Sequence, residues 1–188
     1  MSVVWVSERT RISADRYLKM FETGVLTEDD RVELIDGDIV NMQGIGPNHS
    51  AAIARLIKLF VLAAGDSAVV SPGASLRLGD YSMPQPDLMV LKPRDDFYSG
   101  QRPTAADILL LVEVSDSSLA FDLGGKRALY ARQRVVEYWV VNIPGKCVHV
   151  YRDPWGDRYT QATECTLADT ISPRALPVIQ VAVGTLFA

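Results

Sequence analysis

Ile108-Leu-Leu-Leu-Val-Glu-Val-Ser115 is a nearly continuous apolar run broken by one carboxylate. A strand wetted on one face alternates apolar and polar residues, whereas a central strand covered on both faces reads as this segment does. Glu113 is then the residue to explain. Burying an ionised carboxylate costs several kcal/mol unless it is paired, hydrogen-bonded or bound to a metal.

A partner position lies upstream, where Pro86-Asp87 opens the apolar strand Asp87-Leu-Met-Val-Leu91. Antiparallel pairing with Leu91 opposite Leu109 would set Asp87 opposite Glu113, and opposed residues share a face. Two carboxylates side by side repel and raise one pKa, unless a divalent cation lies between them. Oxygen-only ligation favours Mg²⁺, with Mn²⁺ as a substitute, over zinc. Downstream, a helix is expected from about Asp122 to Gln133. At 100° per residue Leu123, Tyr130 and Leu129 flank Lys126 within about 60°, so the lysine centres the apolar stripe and faces the sheet. There it can neutralise the carboxylates or orient a water for attack. Asp122, at i,i+4, is a further candidate partner for Lys126.

The rest of the chain supplies the frame. Ser13 is expected to cap a short helix through Phe21 that stops at Gly24. Arg31 to Met42 reads as a hairpin turning at Asp36-Gly37. Asn48 to Ala64 carries Ile53, Leu56, Ile57, Phe60 and Val61 at helical spacing. Short strands are expected at Ala68–Ser71, Ser75–Leu78, Val136–Asn142 and Cys147–Arg152, with a weak one at Arg158–Ala162. A single domain over 1–188 follows, divided into an N-terminal helix and hairpin (10–45), a core (46–152) and a C-terminal tail of weak strands (153–188).

With 48% hydrophobic and 22% charged residues the chain can bury a sizeable core. Cys147 and Cys165 are too few and too far apart for a disulfide framework. The longest apolar stretch is interrupted by Arg55 and Lys58, and the N-terminus lacks the run of a signal peptide, so a cytoplasmic protein with no membrane partner is expected. The formal net charge of −4 and pI near 5.2 lack the basic footprint of most nucleic-acid binders.

The order Pro86-Asp87, then Glu113-Val114-Ser115, resembles the signature of the PD-(D/E)XK nuclease superfamily. Within it, the chain is most similar to the Uma-type bacterial family of restriction-endonuclease-like proteins. The similarity runs through Glu33-Leu-Ile-Asp-Gly-Asp-Ile-Val40, Pro86-Asp-Leu-Met-Val90, Val112-Glu-Val-Ser115, Asp122 through Lys126 to Tyr130, and Val136-Glu-Tyr-Trp-Val-Val141. The resemblance implies an α+β fold with a restriction-endonuclease-like core, a central mixed β-sheet flanked by helices. It also implies Asp87 and Glu113 as metal ligands, with the main-chain carbonyl of Val114 as a third. Where the superfamily places a lysine two residues after the glutamate this chain has Ser115, so Lys126 would reach the site from the helix.

The superfamily often adds an N-terminal acidic residue, for which Glu33 is the candidate. His49, near the start of the long helix, could act as a base or contact phosphate at neutral pH. These residues lead to the expectation of a Mg²⁺-dependent endonuclease acting on nucleic acid, with DNA favoured, as a homodimer. Asp87→Ala or Lys126→Ala is expected to abolish cleavage with the fold intact. The competing expectation is a binding or assembly module that keeps the fold without the chemistry, and a hydrolase of smaller phosphoesters is a third.

Overall fold

The computed structural model describes residues 9–188. Residues 1–8, on which part of the signal-peptide expectation rests, lie outside the described residues. The frame is a mixed sheet built on β5 (Ile108–Ser115), buried at every position except the half-buried Leu109. β5 pairs antiparallel with β4 (Leu88–Leu91) and parallel with β6 (Glu137–Asn142). β3 (Val69–Pro72) lies beyond β4, while β7 (Cys147–Trp155) and β8 (Arg158–Cys165) follow β6, giving the order β3-β4-β5-β6-β7-β8. The parallel β5–β6 step requires a crossover, supplied by the helical segment between them.

Alternation along β5 serves two cores. Leu110, Val112 and Val114 pack with Leu56 and Phe60 of α2 (Pro47–Ala64) and with Trp139. Leu111, Met89 and Tyr138 pack on the other side with Leu129 and Tyr130. Glu113 and Ser115 share this second face. The β4–β5 register follows expectation from Leu88↔Val112 to Val90↔Leu110, but an irregularity after Val90 pairs Leu91 with Ile108 in place of Leu109. Continuing the regular part by one residue sets Asp87 opposite Glu113.

The peripheral elements follow local chemistry. α1 (Ala14–Glu22) is capped by Ser13, whose Oγ accepts from the Arg16 N–H at 3.3 Å. β1 (Val32–Ile35) and β2 (Asp38–Asn41) turn through Asp36 and Gly37, at φ 51° and 89°. Two positive φ values make this a type I′ hairpin. A Cβ on Gly37 would lie 2.7 Å from Arg11 Cβ. Gly37→Ala is therefore expected to cost more than about 1 kcal/mol, read as a lower urea midpoint at unchanged slope.

Three expectations need correction. Ser75–Leu78 is not a strand: it makes isolated bridges only, and its alternation reflects burial of Leu76 and Leu78 in the second core without a ladder partner. The helix expected from Asp122 begins earlier, as α3 (Leu119–Phe121), and passes through a π turn (Asp122–Lys126) into α4 (Arg127–Arg132). The Gly124-Gly125 pair is poor helix material, and a Cβ on Gly125 would press into the Phe121 ring at 2.9 Å. The last strand runs on to Cys165, and β9 (Thr170–Ile171) and β10 (Val181–Ala182) pair beyond it. Ile171, Ile179, Val181 and Val183 join the α2-side core, so the closing segment is a structural part of that core. No described helix is long and apolar enough to cross a membrane.

Candidate active site

Glu113 is only 4% exposed, and its partners are all specific. Lys126 Nζ donates to its Oε1 at 3.0 Å and the Tyr130 hydroxyl donates to the same oxygen at 2.7 Å. Lys126 and Tyr130 are four residues apart, so one helical face delivers both. Lys126 also pairs with Glu33 Oε1 at 3.0 Å, while Glu33 Oε2 accepts from the Gln85 N–H at 3.2 Å. One buried lysine is thus shared by two buried carboxylates, drawn from β1 and β5.

Asp87 sits nearer solvent. Its Oδ2 accepts from the Val114 N–H at 2.7 Å and faces His49 Nε2 at 3.3 Å. His49 is buried at the start of α2, and its Nδ1 has no hydrogen-bond partner among the described residues. A cavity of about 300 Å³ opens over this group, lined by Glu33, His49, Asp87, Glu113, Val114 and Lys126 together with Phe121 and the end of the hairpin.

Charges in this cavity are strongly interdependent. Burial pushes the Glu113 carboxyl well above the usual range; Lys126 opposes that shift, and the charges of Asp87, Asp122 and Glu33 add to it. Burial alone would loosen the Lys126 proton, but Glu113 and Glu33 outweigh it and hold that proton more tightly than usual. Lys126 is therefore a fixed cation. The hydrogen bond to Asp87 raises His49, burial opposes this, and the charges of Asp87 and Asp116 add to the rise.

The sequence-derived candidates separate into two groups. Asp87, Glu113, Lys126, Glu33 and His49 converge. Ser115 and Asp122 form a neighbouring pair: Ser115 is fully buried and donates to Asp122 Oδ2 at 2.7 Å, as does Ser118 at 2.6 Å. The expected Asp122–Lys126 pair does not form, because the two serines occupy Asp122 while two closer carboxylates take the lysine. Ser115 is thus engaged by Asp122, and the cation arrives from the helix as Lys126. Tyr130 and Gln85 were not singled out in the sequence; the i,i+4 relation to Lys126 was the available signal for Tyr130. Because the tyrosine donates to a buried carboxylate, Tyr130→Phe is expected to lower stability by about 1.5–3 kcal/mol. An unchanged denaturation midpoint would discount that contact.

Asp87 and Glu113 each keep one oxygen, Oδ1 and Oε2, without a protein donor among the described residues. Two hard oxygen donors on residues that line one cavity fit Mg²⁺, which commonly takes one or two carboxylates and fills its sphere with water and substrate oxygens. Glu33 has both oxygens engaged, so it positions Lys126.

A mixed sheet carrying paired acidic side chains and a lysine near the carboxyl end of its central strand defines a restriction-endonuclease-like protein. The chain belongs to the Uma2 family, described as "putative restriction endonuclease", whose family model matches residues 14–184. By family it stands among the nucleases. A solved structure described as "a putative nuclease belonging to DUF820" from Anabaena variabilis matches with a TM-score of 0.71 at 16% identity, covering 94% of this chain and 97% of that one. At that identity the likeness speaks for the fold. No curated protein matches the chain.

Proposed function

We propose that the protein is a Mg²⁺-dependent endonuclease that hydrolyses phosphodiester bonds in nucleic acid, with DNA the favoured substrate. Asp87 and Glu113 hold the cation, assisted by the Val114 carbonyl. When bound, Mg²⁺ polarises the scissile phosphate and lowers the pKa of the attacking water. Lys126, which keeps its proton, orients that water and offsets negative charge developing on the phosphate. It does not serve as the base. Glu33 fixes the lysine, and His49, held by Asp87 near the cavity wall, is placed to meet a substrate phosphate.

What supports this reading most is the division within each carboxylate: one oxygen is saturated by protein donors and the other is left over, on residues lining one cavity. Asp87 is the cleaner test, because its side chain is 20% exposed and its removal leaves no buried carboxylate without its cation. Asp87→Ala is expected to lose Mg²⁺-dependent cleavage of DNA while keeping its circular-dichroism spectrum. Undiminished cleavage would remove Asp87 from the mechanism. A homodimer in the cytoplasm goes with this proposal, since cutting both strands of a duplex takes two sites or two visits.

The second reading, a binding module without catalysis, is favoured by the net charge of −4. Calorimetric titration with Mg²⁺ or Mn²⁺ separates the two: the enzyme requires binding that Glu113→Ala abolishes.

A further inference from the structure

A second group of ligating side chains lies on the same sheet face as Glu113. Alternation puts Cys147 and His149 together on β7, and the register sets Glu164 of β8 directly opposite His149. Cys147 Sγ is 3.7 Å from His149 Nε2, and Glu164 Oε2 is 3.6 Å from His149 Nδ1. Ligand atoms of the three residues all lie within 4.8 Å of one another, the one such group of three among the described residues.

We propose that Cys147, His149 and Glu164 form a binding site for a borderline-soft divalent cation, Zn²⁺ by preference, independent of the carboxylate site. Zinc–sulfur and zinc–imidazole bonds of about 2.3 and 2.05 Å at a tetrahedral angle hold sulfur and nitrogen roughly 3.6 Å apart. The observed 3.7 Å between Cys147 Sγ and His149 Nε2 is close to that bite, while Glu164 faces the other ring nitrogen. Glu164 stands on an exposed stem, free to swing its carboxylate onto the ion as the third ligand. Burial, with the charge of Glu164 adding to it, holds the Cys147 thiol above its ordinary range, and the Asn142 side-chain amide, donating to Sγ at 3.6 Å, opposes that rise.

The ligand chemistry differs from that of the first site. Thiolate and imidazole select zinc over magnesium, whereas the carboxylates of Asp87 and Glu113 are hard donors of the kind that serve magnesium. The strand ladder runs Glu113↔Val140↔His149, so the two sites are separated by two strand spacings, about 10 Å. Coordination would release the Cys147 proton to solvent as the sulfur–metal bond forms. The ion would tie the outermost strand β8 to β7.

Calorimetric titration of the reduced protein with Zn²⁺ tests this, with Co²⁺ as a spectroscopic stand-in. With Mg²⁺ in large excess to occupy the carboxylate site, wild type is expected to bind one Zn²⁺ and to melt at higher temperature with it, and Co²⁺ should give a sulfur-to-metal charge-transfer band. Cys147→Ser and His149→Ala should weaken binding by more than the roughly 10–100-fold that loss of an outer partner costs. Glu164→Gln, at an exposed position that does not threaten folding, should weaken it too. Asp87→Ala and Cys165→Ser should leave binding unchanged. Failure of the reduced wild type to bind Zn²⁺, or binding that survives Cys147→Ser and His149→Ala, whether or not Asp87→Ala removes it, overturns the proposal.

Discussion

Lys126→Ala is expected to cost about 3–5 kcal/mol of folding stability, the range seen when one partner of a buried ion pair is removed. The cause is what the lysine leaves behind. Glu33 and Glu113 are 3% and 4% exposed, and each relies on the same Nζ at 3.0 Å. Without it two nearly fully buried carboxylates face each other, and one must take up a proton or the segment must open. Domains of this size are stable by only about 5–15 kcal/mol, so the loss would be a large fraction of the total. Urea denaturation measures it directly. Lys126→Ala combined with Glu113→Gln should recover most of the loss, since only one stranded carboxylate then remains. A single variant within about 0.5 kcal/mol of wild type would show that the cluster carries no such strain. That cost stands against the expectation that Lys126→Ala leaves the fold untouched, so inactivity of that variant alone says little about chemistry.

Some of this was legible in the sequence because it depended on local periodicity. The burial cost of Glu113 followed from six apolar neighbours in one strand, and the inward direction of Lys126 from its place on a helical stripe. Both conclusions tolerate errors of a few residues, which is why the π turn between Asp122 and Lys126 did not spoil them. The Glu33–Lys126 pair was out of reach, because it joins a hairpin to a helix more than 90 residues later and nothing local encodes how the two pack. Glu137 was similarly opaque. Its carboxylate is 1% exposed and is satisfied by Arg152, by the Trp139 indole N–H and by the Arg174 main chain, contacts that exist only once β6, β7 and the closing segment are assembled. Ser75–Leu78 failed for the opposite reason: a short segment unsuited to a helix can be a loop that buries Leu76 and Leu78 as readily as a strand.

Glu113→Gln should move activity and stability in opposite directions. The amide keeps the shape and can still accept from Lys126 and Tyr130, but it is a far weaker ligand for a hard cation, so Mg²⁺-dependent cleavage is expected to fall by at least about 10²-fold. Stability without metal should rise, because a carboxyl whose ionisation burial opposes is exchanged for a neutral isostere while Lys126 keeps Glu33 as its partner. The sign follows from the titration. The folded state raises the Glu113 pKa through burial, so above the ordinary carboxylate range the unfolded chain ionises more readily and wild type is penalised. The advantage of Glu113→Gln should therefore grow as pH climbs through and beyond that range, and vanish in acid where both states are protonated. Lys126 does not reverse this: its raised pKa contributes stability that persists across neutral pH, and Glu33 still holds it in the variant. Saturating Mg²⁺ should close the gap, since ligand binding stabilises wild type and not the variant. Melting curves at two pH values, with and without Mg²⁺, separate the possibilities. A variant that melts lower in metal-free buffer would make Glu113 a structural ion-pair partner, and one that cleaves at the wild-type rate would take it out of the mechanism.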